Sequence, residues 1–432
     1  MWRLAVPSAA EAMLGMLVGL VNTYLVGHLG AASIAAVGLG WQVALSVMIL
    51  FTAVGTGATA LIARMVGARD WAGANRVVMQ GVIVAFAAGI LATVLLVVFA
   101  EPALSLMGAE GEVLSQAVLF LQAISSVFSI SAITFIGHAC MRGAGDTRTP
   151  MLVMIVVNLV NVMVAWVLVQ GVGPFPALGV LGAGIGSAVG RTVGALVVIG
   201  LLLRGRAGLR LRWHGPDTDL IWRMLRVGLP ASLDQLIHRL GMLSFVRIVA
   251  TLGTASFAAH QIALNAESIS FMPGWGFAMA ATTLVGQGLG ARDEKRAERD
   301  ATLAFYIAAA FMSAMGVAFF VFAPQFIGLF TDDNEVIAAG SMPLRMIGLA
   351  QPFLAAMMVF GGGLRGAGDT LTPMWINGGA IWLMRIPLSL LVTYGLGWGL
   401  TGVWAVMVLD LTVRGLLMFR QFKRGRWKRM TV

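Results

Sequence analysis

Apolar stretches of about 20 residues, the length that crosses a ~30 Å hydrocarbon core, alternate with short polar breaks along the whole chain. The pattern predicts spans near 5–29, 38–65, 77–100, 113–140, 150–171 and 178–204. A second set falls near 222–252, 258–288, 299–323, 336–363, 373–395 and 400–420. The break after the fourth span, MRGAGDTRTP at 141–150, returns after the tenth as LRGAGDTLTP at 364–373. That spacing of 223 residues also sets Pro7 against Pro230, Glu11 against Asp234, Gly67 against Gly290, Glu112 against Glu335 and Arg191 against Arg414. An all-α integral membrane protein of twelve transmembrane helices is expected. Its two six-helix lobes, 1–204 and 222–420, form a parallel repeat about an axis along the membrane normal. Residues 205–221 read as a basic linker and 421–432 as a basic tail.

Composition agrees, since 59% hydrophobic and 11% charged residues do not make a soluble surface. A net charge of +10 would suit nucleic acid if the basic residues formed one face, but they mark alternate breaks instead. Arg204, Arg206, Arg210 and Arg212 lie in mid-chain, and Arg420, Lys423, Arg424, Arg426, Lys428 and Arg429 lie in the tail. Intervening breaks carry Glu101, Glu110 and Glu112, or Asp332, Asp333 and Glu335, without Lys or Arg. The positive-inside rule then expects both termini in the cytoplasm, with the inner membrane bilayer as partner and no nucleic acid. One cysteine, Cys140, excludes an internal disulfide and a multi-cysteine metal site. The opening Met1-Trp2-Arg3 and the apolar run after it read as a retained span. Inside the repeated loop each residue has a local use: Arg142 and Arg365 complement a helix C-terminus, and the glycines allow a turn. Thr149-Pro150 and Thr372-Pro373 are expected as N-cap and first helical residue, with Asp146 and Asp369 accepting nearby N–H groups.

The doubled RGAGDT with its Thr-Pro, VNTYLVGHLG at 21–30, and AAHQIALNAESISFMPGWGFAMAATTLVGQGLGARD at 258–293 resemble the multidrug and toxic compound extrusion (MATE) family. This family of secondary transporters lies within the multidrug/oligosaccharidyl-lipid/polysaccharide flippase superfamily, and the resemblance covers nearly the whole chain. It implies two six-helix lobes around a V-shaped central cleft. It also implies export of organic cations driven by inward proton or sodium flow, with no cofactor beyond the coupling ion. Many prokaryotic members carry aspartate where this chain has Asn22, and another where it has Ala165, after Asn158 and Asn161 in span 5. Asn22 and Asn161 can hydrogen-bond but cannot titrate, so coupling is expected mainly in the second lobe.

There the ionisable residues within the spans are the candidates, because each is costly in lipid. Glu267 has no cation three or four residues away. A lone carboxyl in a low dielectric can hold a proton and release it when a cation arrives, which is what an antiporter requires. His260, Gln261, Asn265 and Ser268 form a polar stripe beside it, and Asp234 with His238 stands at i and i+4 on span 7. Glu11, the match of Asp234, shares a face of span 1 with Asn22. Arg385 is a candidate counter-ion for Glu267 or Asp234, while Asp410 and Arg414, four apart, can neutralise each other. Arg191 and Arg345 are read as snorkelling or paired. The only metal considered is Na⁺ at Glu267 and Asp234.

The favoured reading is a monomeric, H⁺- or Na⁺-coupled exporter of small organic cations working by alternating access, its adaptable wall drawn from 26 Met and 12 Trp. The alternative is a flippase or exporter of lipid-linked or anionic amphiphiles, for which Arg239, Arg247, Arg345 and Arg385 would face the cleft. An enzyme is not expected, as His-Glu-x-x-His, Gly-x-Ser-x-Gly and cysteine clusters are all absent.

Overall fold

In a bilayer each backbone N–H and C=O has to find its partner within its own segment, so the apolar runs become helices. A computed structural model describes residues 1–430 and contains no strand among them. The first half comprises α1 (Trp2–Gly27), α2 (Ala31–Gly67), α3 (Trp71–Val98), a short α4 (Ala100–Leu106), α5 (Gly111–Ser125), α6 (Phe128–Ala144), α7 (Arg148–Gln170) and α8 (Gly179–Leu203). The second comprises α9 (Thr218–Ala250), α10 (Thr254–Gly290), α11 (Glu294–Val321), a short α12 (Ala323–Gly328), α13 (Asn334–Gly366), α14 (Leu371–Gly379), α15 (Ile386–Leu390) and α16 (Gly399–Lys423).

Among the described residues nine helical segments are long and apolar enough to cross a membrane, and α5 with α6, bent by 56°, makes a tenth crossing. At that bend the Thr93 hydroxyl donates to the Ser125 carbonyl, 2.9 Å away, which the broken ladder leaves free. Helices α9 and α10, of 33 and 37 residues, have the length but not the apolarity. They complete the twelve, and they are the helices that carry Asp234, His238, Glu267 and the polar stripe. The eleventh crossing, Leu371–Gly395, contains π-helical turns at Ala380–Arg385 and Leu391–Gly395. An inserted residue in a helix is the usual origin of such a turn.

The chain divides into two compact units, Ala10–Leu229, and Met1–Ala9 with Pro230–Val432. Residues 1–9 and 222–229 therefore pack across the lobe limits read from the sequence. In the second unit Gly276 of α10 lies against the backbone of Ala5 and Ala9, and in the first Gly228 lies against Ala53 of α2. These contacts are counterparts under the 223-residue repeat. The 205–221 stretch is pinned to α3: Gln80 donates to the Gly215 carbonyl at 2.9 Å and accepts from the Asp217 N–H at 3.1 Å, and Asn75 accepts from the Arg210 N–H at 2.7 Å.

The repeated loop explains itself residue by residue. Gly143 and Gly366 let their helices touch α2 and α10, where a Cβ would meet the carbonyls of Thr59 and Thr282. The hydroxyls of those threonines donate to the Ala139 and Gly362 carbonyls at 3.0 and 2.8 Å. Gly145 and Gly368 take φ of 92° and 93°, which only glycine adopts freely. The next helices begin at Arg148 and Leu371, two residues before the prolines, so Thr149 and Thr372 are not the N-caps expected. Asp146 and Asp369 each accept from the N–H three residues on, at 3.0 Å, tying down the first turn.

The 223-residue register fails in the last helices. Both α8 and α16 start on a glycine of positive φ, Gly179 and Gly399, and both end before another, Gly205 and Gly425. The register there is 220, so Arg191 corresponds to Leu411 and its expected match with Arg414 is a coincidence of spacing. Close packing at Gly366 predicts that Gly366→Ala destabilises the protein by about 1–3 kcal/mol, the usual cost of overpacking. Gly15→Ala, where a Cβ meets nothing within 4 Å, should leave the detergent melting temperature unchanged or slightly raised.

Candidate functional site

The first helix of each half carries one carboxylate within its apolar stretch, Glu11 or Asp234, and the repeated loop supplies its cation. In the first unit Arg142 Nη1 donates to Glu11 Oε1 at 2.6 Å, and His138 Nδ1 lies 3.0 Å from the same oxygen. In the second, Arg365 Nη2 donates to Asp234 Oδ2 at 2.6 Å, and Asn377 Nδ2 donates to both carboxylate oxygens at 3.1 and 3.2 Å. The two acids and the two arginines are both related by 223 residues. Asp234 and His238, though i and i+4, make no hydrogen bond to each other among the described residues: Asp234 is buried with Arg365 and Asn377, while His238 is exposed. The arginines do more than complement a helix end, since each ties the end of its helix to another helix 131 residues away.

Arg385 is the counter-ion of neither Glu267 nor Asp234. Its Nε donates to Asp410 Oδ2 at 2.8 Å, Arg414 donates to the same oxygen, and the guanidinium sits 5.4 Å over the Phe245 ring. One carboxylate thus serves two arginines, all three side chains being almost wholly buried. Two of the arginines that a cleft for anionic amphiphiles would need are therefore engaged: Arg385 by Asp410, and Arg239 within the protein.

Glu267 is buried on α10 and, among the described residues, makes no hydrogen bond or ion pair. Arg385 is within Coulombic range of it but is bonded to Asp410. The polar stripe does not converge on this carboxyl. Gln261 and Asn265 are exposed, and Ser268 donates to the Asn265 carbonyl of its own helix. His260 is fully buried and accepts from Trp404 Nε1 at 3.2 Å. One turn beyond Glu267, the Ser270 hydroxyl donates to Gln351 Oε1 at 2.8 Å, a contact between residues 81 apart that no local pattern signals. Among the described residues no group of three or more His, Cys, Asp or Glu is placed to hold a metal ion. The sodium position considered at Glu267 and Asp234 would share a carboxylate that Arg365 already neutralises.

In the first unit Asn22, at one of the two positions where the resembled family carries aspartate, belongs to a neutral node. Asn22 Nδ2 donates to Ser187 Oγ at 2.7 Å, Asn161 Nδ2 donates to the same oxygen at 3.1 Å, and Ala165 is wholly buried. Gly190 packs on Asn161 here, at the place where Asp410 bonds Arg385 in the other unit. The π-helical insertion is what brings Arg385, rather than its neighbour, to that place.

The family model described as MatE matches residues 7–167 and again 230–391, two matches that begin 223 residues apart. The chain belongs to the MatE family. A MatE relative from Thermotoga maritima, "Probable multidrug resistance protein NorM", is 32% identical over 431 residues, covering 100% of this chain and 93% of its own. The Pseudomonas aeruginosa "Multidrug resistance protein PmpM" is 27% identical over 98% of this chain and 90% of its own. Among solved structures, a MATE crystal structure in the bent conformation superposes with a TM-score of 0.92 at 25% identity, covering 98% of this chain and 94% of that one. The chain is thus an integral membrane transporter of the MATE type, all-helical with a twelve-helix, two-lobe layout, and at family level it stands among transporters rather than enzymes.

The acid–arginine pairs carry a direct expectation. Arg365→Ala strands the carboxylate of Asp234 and should cost about 3 kcal/mol, the low end for breaking a buried pair. The Asp234→Asn, Arg365→Gln double variant should recover most of that loss in thermal unfolding, because it removes the stranded charge.

Proposed function

We propose that this transporter is a secondary active multidrug exporter that moves small organic cations by antiport against H⁺ or Na⁺, its two lobes alternating in access. The observation that carries this reading is Glu267: a membrane-embedded carboxyl with no hydrogen-bond or ion-pair partner among the described residues, in a unit whose other membrane acids, Asp234 and Asp410, are each matched by arginine. A carboxyl already neutralised by arginine has little to offer a passing cation. An unmatched one can bind a proton, a sodium ion or a cationic drug, but only one at a time, and that competition is the core of antiport. The multidrug names of the relatives support the cargo class. Basic breaks at the linker and tail support cytoplasmic termini in the inner membrane. The protein is taken to act as a monomer.

Inside-out vesicles given a proton gradient or a sodium gradient separately, with a cationic dye supplied in the medium, test the proposal. Parent protein should accumulate the dye under one of the two gradients, and Glu267→Gln should lower that gradient-driven flux at least tenfold. Equal flux by Glu267→Gln with the same gradient dependence would overturn the assignment.

A further inference from the structure

Arg191 is the thirteenth of 25 residues in α8, about 18 Å from either end at 1.5 Å per residue. An arginine side chain spans only part of that distance, so it cannot snorkel to water along its own helix. It has no acid either: among the described residues it makes no hydrogen bond or ion pair. The membrane acid on the first helix of the same unit, Glu11, is held by Arg142 and His138. Two aromatic rings contact Arg191 instead, Trp41 at 5.3 Å and Phe128 at 5.9 Å from the guanidinium carbon. Rings stabilise a guanidinium through its faces and leave the N–H groups of its edge without acceptors.

Trp41, which lies under this cation, also lines a cavity of about 80 Å³ whose wall includes Gly19, Asn22, Thr23 and Phe120 but not Arg191 itself. The indole Nε1 is the atom of Trp41 closest to a Cβ built on Gly19, at 3.6 Å, and its N–H has no acceptor among the described residues. The other polar groups of the wall are already engaged within the protein: Asn22 donates to Ser187 and accepts from Asn161, and the Thr23 hydroxyl donates to the Gly19 carbonyl at 3.0 Å. What remains unused is a set of donors and a positive charge beside aromatic faces. No inorganic cation or ammonium could satisfy it. A planar carboxylate could, because its two oxygens match the edge of a guanidinium.

We propose that Arg191 and Trp41 form a subsite in the first unit for the carboxylate of a small aromatic acid, or of a cargo that bears such a group. That the bound compound is cargo rests on the exporter reading; binding itself does not. The binding is independent of Glu267, which lies in the other unit.

Equilibrium dialysis of the purified full chain in detergent, without any ion gradient, with radiolabelled benzoate and with benzylammonium, which has a similar body and the opposite charge, tests the proposal. Benzoate should bind the parent and should weaken at least tenfold in Arg191→Gln. It should weaken several-fold in Arg191→Lys, which keeps the charge but not the fork, and benzylammonium binding should be unaltered in both. Trp41→Phe, which keeps a ring and deletes the N–H, should also weaken benzoate, and it decides the matter should Arg191→Gln fail to fold. Benzoate binding that is absent in the parent, or equal in folded Arg191→Gln or Trp41→Phe and the parent, would overturn the subsite. Glu267→Gln should bind benzoate as the parent does, so loss of driven export in that variant with benzoate binding intact separates the two readings.

Discussion

Each unit depends on one ion pair made between distant parts of the chain, Glu11 with Arg142 and Asp234 with Arg365. In a low dielectric an unpaired carboxylate or guanidinium is costly to bury, so the first helix of each half and the end of its RGAGDT helix sit inside the bilayer at lower cost when they meet. The rest of the corner serves that meeting. Gly143 and Gly366 bring the helix close to its neighbour, Gly145 and Gly368 reverse the chain, and Asp146 and Asp369 start the next helix. A loop written twice is then a requirement of packing two charges twice.

Spans, repeat and family were legible because hydrophobic length and a fixed spacing survive in a single sequence. Long-range partnership was not. Glu11 and Asp234 shared the same spacing as Arg142 and Arg365, with opposite charge, and that was enough to suggest the two pairs. The local uses of arginine at a helix end hid it. Arg385 was misassigned for a different reason: a π-helical turn shifts it by one residue, and neither composition nor periodicity reveals an inserted residue in a helix that remains apolar. Gln261 and Asn265 lay on a plausible stripe with Glu267, yet burial separates them, since facing is decided by neighbours that the stripe itself does not name.

Once the shared pairs are set aside, the two halves differ in how they keep polar groups. The second uses charge, with Asp410 between Arg385 and Arg414, and leaves Glu267 unmatched. The first uses neutral amides and a hydroxyl at Asn22, Asn161 and Ser187, and leaves Arg191 against aromatic rings. Among the described residues the repeat thus carries a carboxyl without an ion pair in one unit and a guanidinium without one in the other. On the proposed function the exchangeable chemistry is assigned to those positions, because a charge already matched has less to offer a passing ion.

Labelling with the hydrophobic reagent dicyclohexylcarbodiimide, which modifies membrane carboxyls able to take up a proton, followed by peptide mass spectrometry, tests this division most directly. The account predicts modification at Glu267, reduced by a cationic substrate, with Glu11, Asp234 and Asp410 spared. Modification of Glu11 or Asp234 with Glu267 untouched would contradict it.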